Sequence, residues 1–262
     1  MLINTNYPIY PVARTRHDDD VFEIYRSETE DGKLIQVSDP LHLSIMHALT
    51  NNELSATEIA ERTEKAQSTL SVHLDDMVRK NLIGFQYDKS DSRRKIYRLT
   101  SRLVARSKDS DHVGQSELKR YMDASVNSKD TFYKSLMISM FLSAESGGLD
   151  ISNWMRHLGE EFARSLFNGT SCLKVEDVIR DLQEFYEKHS LGEVCIYTFL
   201  PLTIIIRNGD EFSFKMESMA SFGHGLFSTA LTMVTGTRYD VVKSEIFGTG
   251  NNYYKFILES TK

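Results

Sequence analysis

The sequence predicts an α+β protein of two domains. The chain has 262 residues, which is long for one compact domain. Residues 39–101 carry three helical patterns followed by two short alternating strands. Residues 132–262 carry helices first and then strands with one helix between them, which predicts a second domain with an antiparallel sheet. Residues 1–38 are predicted to form an N-terminal arm with a hairpin, and residues 102–131 a helical linker or dimerisation region.

Composition narrows the function classes. Apolar residues make up 40% and charged residues 26%, which is ordinary for a soluble globular protein. The net charge of −6 argues against a protein that coats nucleic acid, but it allows a local basic surface. Cys172 and Cys195 form no Cys-x-x-Cys pair, so we expect two buried thiols and neither a zinc ribbon nor a disulfide framework. Because we find no signal peptide and no apolar run that could span a bilayer, we expect a cytoplasmic protein without a membrane partner.

The N-terminal arm and the first domain carry local signals for a hairpin and three helices. Residues 21–26 and 33–38 alternate in polarity around the turn sequence SETEDG, which predicts a hairpin. Asp39 can cap the first helix, and Ser55 with Glu58 has the spacing of a capping box for the second. In the third helix one apolar stripe repeats at helical spacing, whereas the opposite face is polar and small. The stripe is Leu70, Leu74 and Met77, and the opposite face is Gln67, Ser68, Ser71 and Val72.

Two alternating strands with a basic tip follow these helices. The segments LIGFQYD and KIYRLT enclose the tip, residues 89–95, whose cations are Lys89, Arg93, Arg94 and Lys95. Residues 79–108 contain ten basic and two acidic residues, a local balance of +8 in a chain of net −6. Three helices and such a hairpin match the plan of a winged helix-turn-helix. In that plan a helix enters the DNA major groove and the wing contacts phosphates or the minor groove. A merely solvated charged surface is the alternative.

Residues 38–100 resemble the ArsR-type winged-helix regulators. The matching pieces are DPLHLSIMHAL, LSATEIA and QSTLSVHLDDMVRKNLI, with the short wing after them. The resemblance implies that Gln67, Ser68, Ser71, Val72 and His73 face the groove of double-stranded operator DNA. For His73, packing or a phosphate contact is the alternative. Some members sense metals through paired cysteines in this domain, and this sequence has none there, so no metal site is predicted.

The middle of the chain is predicted to be a connector and helices. Residues 102–118 are polar and are predicted to form a connector. Residues 118–145 are predicted to form a long helix. The apolar side of that helix, which includes Leu136, Met137 and Met140, predicts core packing or the seam of a homodimer. Two more helices are predicted over residues 151–167 and 175–189.

The last seventy residues are predicted to be mainly strands. Three short strands are predicted, with the sequences EVCIYTFLP, TIIIRNG and EFSFKMES, and residues 208–210 are predicted to form a hairpin turn. ASFGHGLFSTALTMVTG then reads as a helix, and residues 239–259 as a closing hairpin whose turn is GTGNN.

Residues 132–260 resemble the small-molecule-binding domain named after 4-vinyl reductase. FGHGL, the helix through Gly236, YDVVKSEIF and GNNYYKF carry the resemblance. Members often have a cysteine four residues on each side of the turn glycine, where this sequence has Ile246 and Tyr254, so an apolar ligand is expected rather than a metal. The candidate ligand-binding residues are Phe199, Phe214, Met216, Phe222, His224, Phe227, Phe247 and Tyr254; core packing is the alternative for each aromatic residue, and capping or surface exposure for His224.

The leading hypothesis is a ligand-responsive transcription regulator, weakly a repressor, that binds operator DNA as a homodimer and senses a small, largely apolar molecule. One alternative keeps the DNA binding but makes the C-terminal domain only a dimerisation or protein-partner platform. A second alternative is an enzyme of the 4-vinyl reductase type. Because the sequence shows neither a dinucleotide-binding glycine motif nor a nucleophile–base constellation, no enzyme and no cofactor are predicted.

Overall fold

The computed structural model describes most of the chain. The described residues are 21–29, 32–110, 118–119, 122, 132–170, 174–207, 217–247 and 253–261. Mixed helices and antiparallel strands over this part confirm the predicted α+β class. None of the helices described there has the length and apolar character that a membrane crossing needs.

The winged helix-turn-helix forms as predicted. Its helices are α1 (Pro40–Leu49), α2 (Ala56–Thr63) and α3 (Gln67–Arg79), and its three-stranded sheet has the order β3-β5-β4. These strands are β3 (Leu54–Ser55), β4 (Ile83–Tyr87) and β5 (Lys95–Leu99). Asp39 caps α1 by accepting from the His42 amide at 2.9 Å, and Ser55 and Glu58 form the predicted reciprocal capping box. The helices share a core with fully buried side chains at Ile45, Met46, Ile59, Leu70, Leu74 and Met77.

A second sheet joins distant parts of the chain. Its strands are β1 (Glu23–Ser27), β2 (Leu34–Val37), β6 (Ser101–Ser107) and β7 (Leu149–Asp150), in the order β2-β1-β6-β7. The hairpin β1–β2 was predicted, but Tyr25 and Val37 lie in the same core as α1–α3, so it belongs to the winged-helix body. The connector predicted over residues 102–118 is wrong at its start. Residues 101–107 form a strand because one face is buried at Ser101 and Ala105 while arginines stay at the other face.

From residue 132 onward, the described part of the chain contains four helices and a four-stranded sheet. The helices are α4 (Phe132–Ser146), α5 (Ser152–Leu166), α6 (Val175–Lys188) and α7 (Glu217–Thr235). The strands β8 (Glu193–Phe199), β9 (Leu202–Arg207), β10 (Arg238–Phe247) and β11 (Tyr253–Thr261) are all paired antiparallel in the order β10-β11-β9-β8, as predicted.

Some predicted boundaries move or lie outside the described residues. The strand predicted for EFSFKMES extends too far. Residues 217 and 218 already belong to α7, where Ser218 is fully buried. Its residues 211–216 and both predicted turns, 208–210 and 248–252, lie outside the described residues. Of the long helix predicted from residue 118, residues 118, 119, 122 and 132–145 are helical, and the residues between lie outside the described part.

Helices α5 and α7 pack with their backbones in close contact. A Cβ on Gly159 of α5 would lie 2.1 Å from the Phe222 carbonyl oxygen, and one on Gly225 of α7 would lie 1.9 Å from the Arg156 carbonyl oxygen. Real Cβ atoms never approach so closely, so both positions require glycine. The other face of α7 packs on the sheet, where Phe227 and Phe256 are fully buried.

Candidate nucleic-acid interface

The outer face of α3 presents four of the predicted groove-facing residues to solvent. Gln67, Ser68, Ser71 and Val72 are exposed, and Val72 reaches 68% exposure because the buried stripe occupies the opposite face. The Gln67 amide donates a hydrogen bond of 2.9 Å to the Thr57 hydroxyl of α2. The Ser71 hydroxyl donates to the Ser68 carbonyl oxygen at 3.1 Å. Small side chains of this kind leave room for a helix to approach base edges in the major groove.

His73 does not belong to this exposed group, because its side chain lies against α1. It is half-buried, and its Nδ1 lies 3.0 Å from Nε2 of His42 in α1, so one imidazole donates and the other accepts. The two rings meet edge to face with centroids 5.0 Å apart. The alternative of packing is therefore the one that fits His73.

His42, the partner of His73, was not among the residues predicted from the sequence. The signal available was the spacing Asp39-x-x-His42 at a helix start, since residues three apart share a helix face. The approach of His73, 31 residues later, required the tertiary structure. Burial, the main cause, lowers the pKa of the His42 imidazole, and the hydrogen bond from the His42 amide lowers the pKa of the Asp39 carboxyl.

The four predicted cations of the wing tip fall into two pairs, one that contacts other side chains of the domain and one that is open to solvent. Lys89 and Arg93 are exposed, and within the described residues the ion pairs at this tip belong to Arg94. Arg94 contacts Glu58 at 3.1 Å and the Ser55 hydroxyl at 3.2 Å, which ties the wing to the start of α2. Lys95 lies over the Phe85 ring with its Nζ 4.3 Å from the centroid. Lys89 and Arg93 are thus the pair that is open to a phosphate.

The backbone of the tip is fixed by aspartates. The Asp88 side chain accepts from the Ser90 amide at 2.7 Å, and the Asp91 side chain accepts from the Arg93 amide at 2.9 Å. The hydrogen bonds from Ser90 lower the pKa of the Asp88 carboxyl. Both acidic residues in this basic segment therefore shape the turn that carries Arg93.

The predicted ligand-binding residues of the C-terminal half do not converge on one described site. Phe227 and Tyr254 belong to the core, where Phe227 packs against Tyr186 at a centroid distance of 5.7 Å. Phe199 is 48% exposed at the end of β8. Phe222 and His224 lie on α7, with Phe222 edge to face against Phe162 of α5 at 5.6 Å. Phe214, Met216 and the side chain of Phe247 lie outside the described residues.

His224 is neutral near neutral pH. It is largely enclosed on α7, and burial together with the nearby positive charge of Arg156 lowers its pKa to about 4. A neutral imidazole can donate one hydrogen bond and accept another. Cys195, expected to be buried, is half-buried on β8, and burial raises the pKa of its thiol; Cys172 lies outside the described residues.

A cavity of about 230 Å³ opens between the sheet β2-β1-β6 and helix α5. Its walls are apolar at Leu34, Leu103, Val104 and Trp154, and polar at Arg26, Arg102, Asn153 and His157. Arg102 donates a hydrogen bond of 2.9 Å to Nδ1 of His157, which connects the strand to the helix. No residue of this cavity was among the sequence-based candidates, because its walls come from separate segments.

Comparisons with known proteins give one family match, which covers part of the winged helix-turn-helix. The family model described as "Bacterial regulatory protein, arsR family" matches residues 39–84, which span α1 to the start of β4. This match confirms the ArsR-type resemblance over that segment and supports DNA binding and transcription regulation. A search of curated proteins gave no match.

One similar solved structure is a vinyl-4-reductase family protein from Methanocaldococcus jannaschii. It is 17% identical, covers 58% of this chain and 97% of its own, and superposes with a TM-score of 0.34.

Proposed function

We propose that this protein is a transcription regulator that binds operator DNA as a homodimer through its winged helix and responds to a small molecule. The observation that carries the proposal is the exposed polar face of α3, which lies within the segment that matches the arsR family. A wing with two open cations, Lys89 and Arg93, follows that segment. Base edges are read by short side chains on such a helix, and phosphates are held by arginine and lysine.

Exposed apolar side chains on α4 support the dimer. Leu136, Met137 and Met140 are 45%, 49% and 58% exposed on one helix. Large apolar side chains that cluster on a surface mark interaction sites. Two-fold symmetric winged helices bind two half-sites of an operator, so a dimer suits the proposed function.

The cavity beside β6 supports the sensing part of the proposal. Apolar walls with a few placed polar groups are typical of ligand sites, and such sites favour boundaries between domains. A small, largely apolar molecule with one anionic group would suit Trp154 and Leu34 together with Arg26 and Arg102. Because β6 follows the wing directly and α5 belongs to the C-terminal half, a ligand there would change how the two halves are placed.

Ligand control requires a ligand that binds the DNA-competent and DNA-incompetent states with different affinity. A coupling free energy of ~1–3 kcal/mol would change DNA affinity about 5–150-fold. We expect the output to be repression, relieved by the ligand, and we assign no reaction to the protein.

The test is a fluorescence anisotropy titration of the full chain with genomic fragments that include its own upstream region. We expect one fragment to bind far more tightly than the others at moderate salt, with a steep salt dependence. Binding that depends on salt but not on sequence would overturn the regulator assignment.

Native mass spectrometry of freshly purified protein tests the dimer and the ligand. We expect a dimer that carries a co-purified small molecule. A dimer that stays free of ligand after exposure to cell extract, with unchanged DNA affinity, would instead support a C-terminal domain that serves only as a dimerisation or protein-partner platform.

A further inference from the structure

Asp39, His42 and His73 bring three potential metal ligands together in the winged helix. One ligand atom from each residue lies within 4.8 Å of the other two. Asp39 and His42 come from the first turn of α1, and His73 comes from the middle of α3. No other group of three such side chains with this geometry occurs in the described residues.

We propose that Asp39, His42 and His73 bind one divalent transition-metal ion, of which zinc is the best fit. Imidazole nitrogens and carboxylate oxygens are the usual ligands of zinc, with bonds of about 2.0–2.2 Å. The site would connect the start of α1 to the helix that carries the groove-facing residues. Its chemistry differs from that of a thiolate sensor, since no cysteine takes part.

The two imidazoles are already placed for a shared ion. Their Nδ1 and Nε2 atoms are 3.0 Å apart. Two nitrogens bound to one tetrahedral zinc ion lie about 3.3 Å apart, given bonds of about 2.0–2.1 Å. An ion that replaces the hydrogen bond would therefore change the separation of the two nitrogens by only a few tenths of an ångström, and both rings would turn so that their lone pairs point at the ion.

The carboxylate of Asp39 is held in a suitable orientation by the backbone. Its Oδ1 accepts from the His42 amide at 2.9 Å, so the cap of α1 also positions the third ligand. A carboxylate has about four lone-pair sites, and the cap uses few of them. Hydrogen bonds of this type orient metal ligands and are part of working sites.

The surroundings suit a site with an open position. Asp39 is exposed and His73 is half-buried, so an ion can enter from solvent. Two imidazoles and one carboxylate leave a fourth position for water at a tetrahedral ion. The neighbouring Lys80 is held by Asp76 at 2.7 Å, which partly offsets its positive charge near the ion.

The consequence for DNA binding rests on the proposed function. His73 directly follows Ser71 and Val72, the exposed residues of α3. An ion shared with α1 fixes the rotation of α3 against the body of the winged helix. We expect the operator affinity of metal-bound protein to differ at least about fivefold from that of chelated protein.

Metal binding itself is tested on untagged full-length protein freed of metal by a chelator. We expect one zinc ion per chain by competition with a fluorescent zinc indicator, and a visible absorption band of tetrahedral type with Co²⁺. Asp39→Asn keeps a residue that caps helices well, and His42→Gln keeps a polar side chain of similar size. Each should weaken zinc binding at least about tenfold.

His189→Gln is the matched control, because His189 is exposed and lies at the end of α6. It should bind zinc as the parent does. Zinc binding that survives His42→Gln, or the lack of stoichiometric zinc binding in the parent, would overturn the site. Equal operator affinity with and without zinc would overturn only the coupling. A protein that binds zinc but no specific DNA would contradict the proposed function and not the metal site.

Discussion

Arg94 in the wing and Glu58 in α2 form an ion pair, with 3.1 Å between a guanidinium nitrogen and Oε2. Glu58 also closes the capping box with Ser55, so one carboxylate serves both the helix start and the wing. Arg93, the adjacent residue, has an exposed side chain that extends from the tip. Two neighbouring arginines therefore have different roles, which the sequence alone does not separate.

Arg93→Ala should weaken DNA binding for all sequences alike and reduce the salt slope of binding by about one, because one phosphate contact is lost. Arg94→Ala should have the smaller effect on DNA binding. Its ion pair is nearly half-exposed on both sides, so we expect a stability loss of about 0–1 kcal/mol. Anisotropy titrations at several salt concentrations measure the first effect and thermal unfolding the second. Equal salt slopes for the two variants would contradict the assignment.

Ser71→Ala should relax the sequence preference of DNA binding while leaving stability nearly unchanged, because its exposed hydroxyl lies on the face of α3 that we propose enters the groove. We expect a loss of about 1–3 kcal/mol of discrimination at one base position. Ser44→Ala in α1 is the control, since Ser44 is also exposed and also bonds to its own helix backbone. A selection from randomised operators measures the preference, and an unchanged preference for Ser71→Ala would count against this docking.

Gly225→Ala should destabilise the C-terminal half, because the added Cβ would lie 1.9 Å from the Arg156 carbonyl oxygen. Overpacking of this kind typically costs about 1–3 kcal/mol, and a backbone contact places the variant at the upper end. Thr229→Ala on the same helix is the control and should change stability much less. Urea unfolding followed by circular dichroism gives the comparison. Full stability of Gly225→Ala would show that α5 and α7 do not pack as described.

His224 should make stability fall with decreasing pH. Its pKa is lowered to about 4 in the folded protein, whereas the unfolded value is about 6.5, so the unfolded chain binds the proton first. The contribution is fully present above pH ~6.5 and is lost progressively as the pH falls towards 4. With allowance for solvent screening we expect about 2 kcal/mol. In His224→Gln this part of the pH dependence should be absent in unfolding measured between pH 4 and 7.

Local patterns predicted the winged helix well. The caps at Asp39 and Ser55, the stripe Leu70-Leu74-Met77 and the two wing strands depend on neighbours a few residues away, and the structure has them all. The antiparallel C-terminal sheet was predicted for the same reason, from alternation and turn residues.

Long-range contacts account for what was missed. Residues 101–107 form a strand that pairs with β1, which is about 75 residues earlier in the chain, so this pairing could not be read from local patterns. The contact of His42 with His73 depends on how α1 crosses α3. The cavity at Trp154 likewise needs two segments that are distant in sequence. Phe227 was predicted to bind a ligand, but an aromatic residue in this pattern can equally fill the core, and the Phe227 side chain is buried there.

The pairing of β6 with both β1 and β7 limits how this protein can be divided or recombined. Any exchange of the DNA-binding half that cuts after residue 100 would leave β1 with one open edge, and open edges promote aggregation. A transferable DNA-binding unit would therefore run from the first hairpin through Ser107. In evolution or in protein engineering, the wing and β6 would have to be transferred together. This keeps the pairing of β6 with β1 and its connection to the C-terminal half.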